Sequence, residues 1–213
     1  ATRAIASVAA DLGIPMIFAS STSVYGSQKE IVDEDCELAE LKPQSPYAAV
    51  KLKEEFYLKE LAGSKNLKIA IMRFGTIFGY SVGMRFHTAV NKFCWQAVMN
   101  EPITVWKTAY DQKRPYLGLQ DCLKGIEIVF RNQLFNGELF NLVSCNMTVR
   151  QIVEIIKDSI PSLQVTFVDH KIMNQLSYEV LNKKLSPYGF QALSKPSEEI
   201  KNTIKVLKGC NTL

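Results

Sequence analysis

Pro15-Met16-Ile17-Phe18-Ala19, followed without a break by Ser20-Ser21-Thr22-Ser23-Val24-Tyr25-Gly26, is the stretch that decides the fold. A short continuous apolar run is the pattern of a strand buried on both faces. The hydroxyl-rich turn after it then sits at the carboxyl end of a sheet, where open α/β sheets bind ligands. Upstream, Ile5, Val8, Ala9 and Leu12 recur at helical spacing over residues 2–12, and Gly13 ends the pattern where a helix-terminating glycine belongs. Downstream, Ser45-Pro46 combines an N-cap serine with a first-turn proline, and Gly63 is expected to close that helix after Leu61. Ile69-Ala70-Ile71-Met72 reads as a second buried strand. Helix, strand, helix, strand with short links predicts a parallel sheet wrapped by crossover helices.

Beyond Gly79 the texture is more mixed. The pattern predicts a helix over residues 88–99, a strand at 103–106, a loop over 107–115 and a helix over 121–130 with Asp121 as its N-cap. A strand follows at 139–142, then a helix opened by Thr148-Val149-Arg150-Gln151, which has capping-box spacing. The remainder holds a strand at 165–168, a polar linker and a last helix ending at Gly209.

Composition excludes several classes. The 213 residues carry 25 Lys+Arg against 21 Asp+Glu, a net charge of +4, too weak and dispersed for nucleic-acid binding. At 47% hydrophobic and 22% charged, the chain is neither disordered nor a coiled coil. No apolar run reaches the roughly 18 residues of a membrane span. Ala1-Thr2-Arg3-Ala4 lacks a signal-peptide pattern and an initiating Met, so the chain is expected to begin mid-protein. Five widely spaced cysteines without a C-x-x-C predict free thiols and a cytoplasmic location. The 11 glycines form neither G-x-G-x-x-G nor a P-loop, so any nucleotide site here lacks its usual phosphate loop.

The chemistry gathers in three segments: the serine turn at 20–26, Ser45-Pro46-Tyr47-Ala48-Ala49-Val50-Lys51, and Arg73-Phe74-Gly75-Thr76-Ile77-Phe78-Gly79. Tyr47 and Lys51, four apart on a helix, lie on one face. An ammonium beside a phenol favours the phenolate, which makes a general acid/base, and a nearby serine hydroxyl can hold the substrate oxygen while a proton moves. A lone Y-x-x-x-K is usually a surface pair and serine runs are commonly turns; the ordered combination is far more specific than its parts.

On these motifs the chain resembles the extended short-chain dehydrogenase/reductase family, the NAD-dependent nucleotide-sugar epimerases and dehydratases typified by uridine-diphosphate-glucose 4-epimerase. The resemblance implies an α/β fold, an incomplete Rossmann-like parallel sheet with crossover helices plus a smaller α/β substrate-binding domain. Residues 1–80 would be the later part of the NAD-binding domain and 81–213 mainly the substrate domain, with 121–145 returning to the sheet. Ser21, Tyr47 and Lys51 match the catalytic set, while Ser20, Tyr47, Lys51 and Phe74 would contact NAD, or NADP. Thr76, Arg85, His87, Asn91 and Arg114 would contact a nucleotide-sugar substrate, with Arg114 on its pyrophosphate, and no metal is implied. Residues 85, 87 and 91 read equally well as helix-capping and surface groups.

The chain departs from the family pattern at several places. Thr76 stands where Asn is usual, Pro115 where Asp is usual, Gly118 where His is usual and Val143 where Gly is usual. Thr22 and Ser23 replace the Asp-Glu pair of the 4,6-dehydratases, which disfavours dehydration. The implied function is a nucleotide-sugar epimerase or ketoreductase; the alternative is a truncated or non-catalytic relative that keeps the fold for binding or assembly. Family members begin with a strand, a glycine-rich turn and a helix that hold the cofactor pyrophosphate, so this chain alone is expected to bind NAD poorly. The family also implies a homodimer through helices 2–12 and 46–62, with Ala48, Leu52 or Phe56 between subunits, and neither nucleic-acid nor membrane partners.

Overall fold

The computed structural model describes residues 1–26, 29–169 and 177–210. Residues 170–176 of the expected polar linker after Val168 lie outside the described residues. The chain opens with α1 (Thr2–Leu12) and β1 (Met16–Ser21), runs through a short β2 (Ile31–Val32) into α2 (Pro46–Lys65), and returns as β3 (Ile69–Phe74). Next come β4 (Thr76–Phe78), α3 (Ala89–Val98), β5 (Ile103–Trp106), β6 (Lys113–Gly118) and α4 (Leu119–Arg131). The remainder is β7 (Asn136–Leu142), β8 (Cys145–Thr148), α5 (Val149–Ser159), β9 (Val165–Val168), β10 (Glu179–Val180) and α6 (Pro196–Cys210).

β3 is the centre of a parallel sheet in the order β1-β3-β7, with Ser20 opposite Arg73 and Ser21 opposite Phe74. Side chains alternate across a strand, and both faces of β3 are buried. Ile69 and Ile71 pack with Phe18 and Leu139 under Ala6 and Ala9 of α1 and Leu58 and Leu61 of α2. Ala70 and Met72 pack with Phe140 and Leu142 under Cys122, Ile128 and Val129 of α4. A second core joins α3, α5 and α6 to β5, through Val90, Phe93, Ile103, Ile152, Ile156, Ile200 and Ile204. Around it lie the sheet β4-β6-β8, antiparallel between β6 and β8, and the parallel pair β5-β9. β2 and β10 form a further parallel pair.

Several expected boundaries move. α2 continues through Gly63 to Lys65 and is closed by Asn66 in the left-handed region (φ 54°), since a glycine is tolerated inside a helix and the left-handed residue that stops it is the asparagine. α4 starts at Leu119, not Asp121: the buried Asp121 carboxylate caps no amide of its own helix and accepts from Ser144 Oγ (2.5 Å), Leu193 N (2.9 Å) and Ser194 N (3.1 Å). The expected loop at 107–115 becomes strand at Lys113, where β6 finds β8. On α1, Ala6 and Ala9 face the core, whereas Ile5, Val8 and Leu12 remain 60%, 56% and 67% exposed. The cysteines are free, and burial pushes the thiols of Cys94 and Cys145 up to about 12. No helix among the described residues is long and apolar enough to cross a membrane.

Gly26 ends the serine turn at φ +48°, and a Cβ there would lie 1.6 Å from the Lys42 carbonyl oxygen. Left-handed backbone costs an L-residue about 1–2 kcal/mol, and the collision adds to it. Gly26→Ala is therefore expected to lower the melting temperature by at least about 4 °C, since 1 kcal/mol corresponds to ~2–4 °C at this chain size. An unchanged thermal transition contradicts this account of the turn.

Candidate active site

The carboxyl ends of β1 and β3 and the first turns of α2 open onto a cleft of about 1090 Å³, closed on its other side by the segment between β4 and α3 and by β6. All ten residues expected from the sequence line it: Ser20, Ser21, Tyr47, Lys51, Phe74, Thr76, Arg85, His87, Asn91 and Arg114. They come from five separate stretches of chain, and the parallel register brings them together.

Ser21 caps a short 3-10 turn over Thr22–Val24: its Oγ accepts from Ser23 N (3.2 Å) and from Ser23 Oγ (2.9 Å). A hydroxyl that accepts twice still has its own proton to donate. Ser45 accepts from Ala48 N (3.2 Å) and fixes the start of α2, which leaves Tyr47 in the first turn and exposed. One turn on, Lys51 Nζ donates to Ala19 O (2.9 Å) and sits 4.5 Å from the centre of the Phe18 ring. Lys51 thereby ties α2 to the end of β1 and holds a positive charge beside the serine turn. Thr22 Oγ1 donates to Phe74 O (3.2 Å), joining that turn to the end of β3.

The remaining expected residues differ in how they are held. Ser20 is buried, and its hydroxyl donates to Glu55 rather than facing the cleft as a free donor. Asn91 is buried and accepts from Gly79 N (3.3 Å), which fixes the turn after β4. Arg114 donates to Gln112 Oε1 (3.2 Å) from β6. At Gly118 a Cβ would meet Ser194 Oγ at 2.2 Å and Glu199 Oε1 at 2.7 Å, so the place of a larger side chain is filled from the start of α6.

Behind the serine turn lies a buried polar network that the motifs do not reveal. Arg73 pairs with Glu55 through two bonds, Nε to Oε1 (2.9 Å) and Nη2 to Oε2 (2.6 Å), with both side chains at most 4% exposed. The guanidinium also stacks 4.6 Å from the centre of the Tyr25 ring, whose hydroxyl donates to Asn141 Oδ1 (2.8 Å). Burial raises the Tyr25 phenol well above its ordinary value, so it stays protonated as a donor. Glu34 accepts from the amides of Asn141 (2.8 Å) and Lys183 (3.0 Å), and burial raises its carboxyl. Among the cleft residues that sequence patterns miss are Trp106 and Tyr178. Trp106 ends β5 half-exposed, and its only signal is a tryptophan at a strand terminus. Tyr178 arrives from far along the chain and donates to Thr22 O (3.2 Å), which no local pattern could show.

The family model described as "NAD dependent epimerase/dehydratase family" matches residues 1–142. An uncharacterized UDP-glucose epimerase, YtcB, of Bacillus subtilis (strain 168) is 31% identical over 145 residues, which cover 67% of this chain and 43% of that protein. The chain thus spans less than half the length of that relative. Among solved structures, DesIV, a dTDP-glucose 4,6-dehydratase from Streptomyces venezuelae with NAD bound, superposes with a TM-score of 0.87 at 19% identity over 99% of this chain and 65% of that one. UDP-glucose 4-epimerase of Thermus thermophilus in complex with NAD gives 0.84 at 21% identity, over 98% of this chain and 68% of that one.

Proposed function

Because the chain belongs to the NAD-dependent epimerase/dehydratase family, we propose that it forms the catalytic and substrate-binding part of an NAD(P)-dependent nucleotide-sugar epimerase. The observation that carries this reading is the convergence of Ser21, Tyr47, Lys51, Phe74 and Arg114 on one cleft at the carboxyl ends of β1 and β3. The residues present suit the nicotinamide end of the cofactor: an exposed phenol, an ammonium tethered at Ala19 O, and the half-buried ring of Phe74 at the strand end. When bound, NAD supplies a hydride acceptor that can return the hydride to either face of a sugar carbon.

Tyr47 then accepts the proton of the hydroxyl on that carbon and gives it back on the return step. Ser21 donates its hydroxyl proton to the same sugar oxygen and holds it against Tyr47. Lys51, fixed to β1, keeps positive charge beside the phenol and stabilises the anion formed when the proton leaves. Arg114 offers a planar fork of N–H donors to the diphosphate of the substrate. The test is to incubate the full-length protein that contains this chain with NAD and a UDP- or dTDP-hexose and follow both sugar configuration and absorbance at the nicotinamide band. Interconversion of two epimers without net NADH is expected. Stoichiometric consumption of NAD(P)H with a keto-sugar replaces epimerase by ketoreductase, and no turnover with any of these overturns the enzymatic reading in favour of a non-catalytic relative.

We also propose a homodimer through α1 and α2. Ala48 is already buried within its own chain, and Leu52 is partly buried against a cluster with Tyr25 and Val143. The available apolar surface is Ile5, Val8 and Leu12 on α1 with Val50 and Phe56 on α2. Val8→Glu is expected to shift sedimentation from dimer to monomer without lowering the melting temperature; a wild-type chain that sediments as a monomer rejects the dimer.

A further inference from the structure

We infer that the sugar this cleft accepts carries a carboxylate of its own, a hexuronate linked to a nucleoside diphosphate. This rests on the nucleotide-sugar reading and narrows it. The cleft wall contains Lys51, Arg85 and Arg114, together with His87, and among its described residues no aspartate or glutamate. Such a wall sums to a positive potential that low-dielectric surroundings strengthen.

A nucleoside diphosphate accounts for part of that charge. Lys51 donates to Ala19 O and lies 3.8 Å from the Glu54 carboxylate, so it is already partly compensated. Arg114 stands on β6, and the same cleft is lined by the start of α3, whose Thr88 hydroxyl is buried without a hydrogen-bond partner and makes no cap bond to its helix. An uncapped helix start leaves amide donors that favour an anion. On this reading Arg114 and the α3 start with His87, all lining the one cleft, take the diphosphate. Arg85 is then left over. It is exposed in the cleft and makes no hydrogen bond or ion pair with another described residue. A neutral hexose offers it only hydroxyls, whereas a carboxylate matches its planar fork with two charge-assisted bonds.

The experiment is calorimetric titration of the protein, with NAD present, by UDP, UDP-glucose and UDP-glucuronate, with the thymidine series run alongside. UDP-glucuronate is expected to bind about tenfold more tightly than UDP-glucose, which is ~1.4 kcal/mol. In Arg85→Gln that advantage falls to within about twofold, and in Arg85→Lys part of it returns, because the charge is kept and the fork is lost. Equal binding of UDP-glucose and UDP-glucuronate overturns the inference and leaves the nucleotide-sugar reading standing. If Arg85→Gln weakens UDP as much as UDP-glucuronate, Arg85 serves the diphosphate and the inference is again overturned. Failure of every nucleotide and nucleotide sugar to bind overturns both readings.

Discussion

Arg73→Met is expected to destabilise the folded chain by about 3–5 kcal/mol, because it leaves the Glu55 carboxylate buried without its counter-ion. At this size that corresponds to roughly 6–20 °C in melting temperature. The magnitude follows from geometry: both partners are almost fully buried and joined by two bonds, and Ser20 Oγ donates to the same carboxylate. Methionine keeps most of the arginine stem's packing, so the loss reports the stranded charge and not a cavity. Arg73→Met combined with Glu55→Met should be less destabilised than Arg73→Met alone, since neither charge is then stranded. A double variant as unstable as the sum of the singles rejects the coupling.

This pair shows where sequence reading reaches its limit. Arg73 is visible as the first residue of a motif, and Glu55 sits eight residues beyond Tyr47 on the same helical face, yet no local pattern joins them. They meet because β1 and β3 pair with Ser20 opposite Arg73, and α2 lies across both strands. The same holds for Tyr178, which lines the cleft, and for Glu34 in the buried network behind it: each lies more than a hundred residues away in sequence from its partner, Thr22 and Asn141 respectively. What can be read is local: the apolar runs of β1 and β3, the Ser45-Pro46 start of α2, the strand at Ile103–Trp106 and the Thr148 capping box. Each of these rests on interactions within a few residues. Helix ends are less legible because their stop signals depend on what the chain meets next. Gly63 is compatible with either outcome, and only the turn at Asn66 shows which. The outward stripe of Ile5, Val8 and Leu12 escapes sequence reading for a related reason: periodicity finds an apolar face, but the alanines alone are small enough for the close approach of α1 to α2 and β1.

In the full-length protein, Tyr47→Phe is expected to lower kcat by about 10²–10⁴, or ~2.7–5.5 kcal/mol of barrier, while leaving KM for the nucleotide sugar and the melting temperature close to wild type. The expected separation of effects comes from where the phenol sits. Its ring is exposed at the cleft, and among the described residues its hydroxyl makes no hydrogen bond within the protein, so removing the oxygen strands no buried partner. The Arg114 side of the cleft, proposed above to take the diphosphate, is untouched, which should preserve ground-state binding. Ser21→Ala should cost less than Tyr47→Phe, because it removes an orienting donor and leaves the proton acceptor, although the Ser23 amide also loses its cap. Lys51→Met should combine both kinds of loss, since in the proposed mechanism its ammonium stabilises the phenolate and in the structure it also ties α2 to Ala19 O. Turnover of Tyr47→Phe within about threefold of wild type would remove Tyr47 from the chemistry, since a general acid/base contributes far more than that. Loss of turnover together with a large fall in melting temperature would instead assign the phenol a structural part. The two outcomes separate cleanly because the stability of this region rests on the buried Glu55–Arg73 pair below Tyr47, and the proposed proton transfer rests on a hydroxyl that the fold leaves unengaged above it.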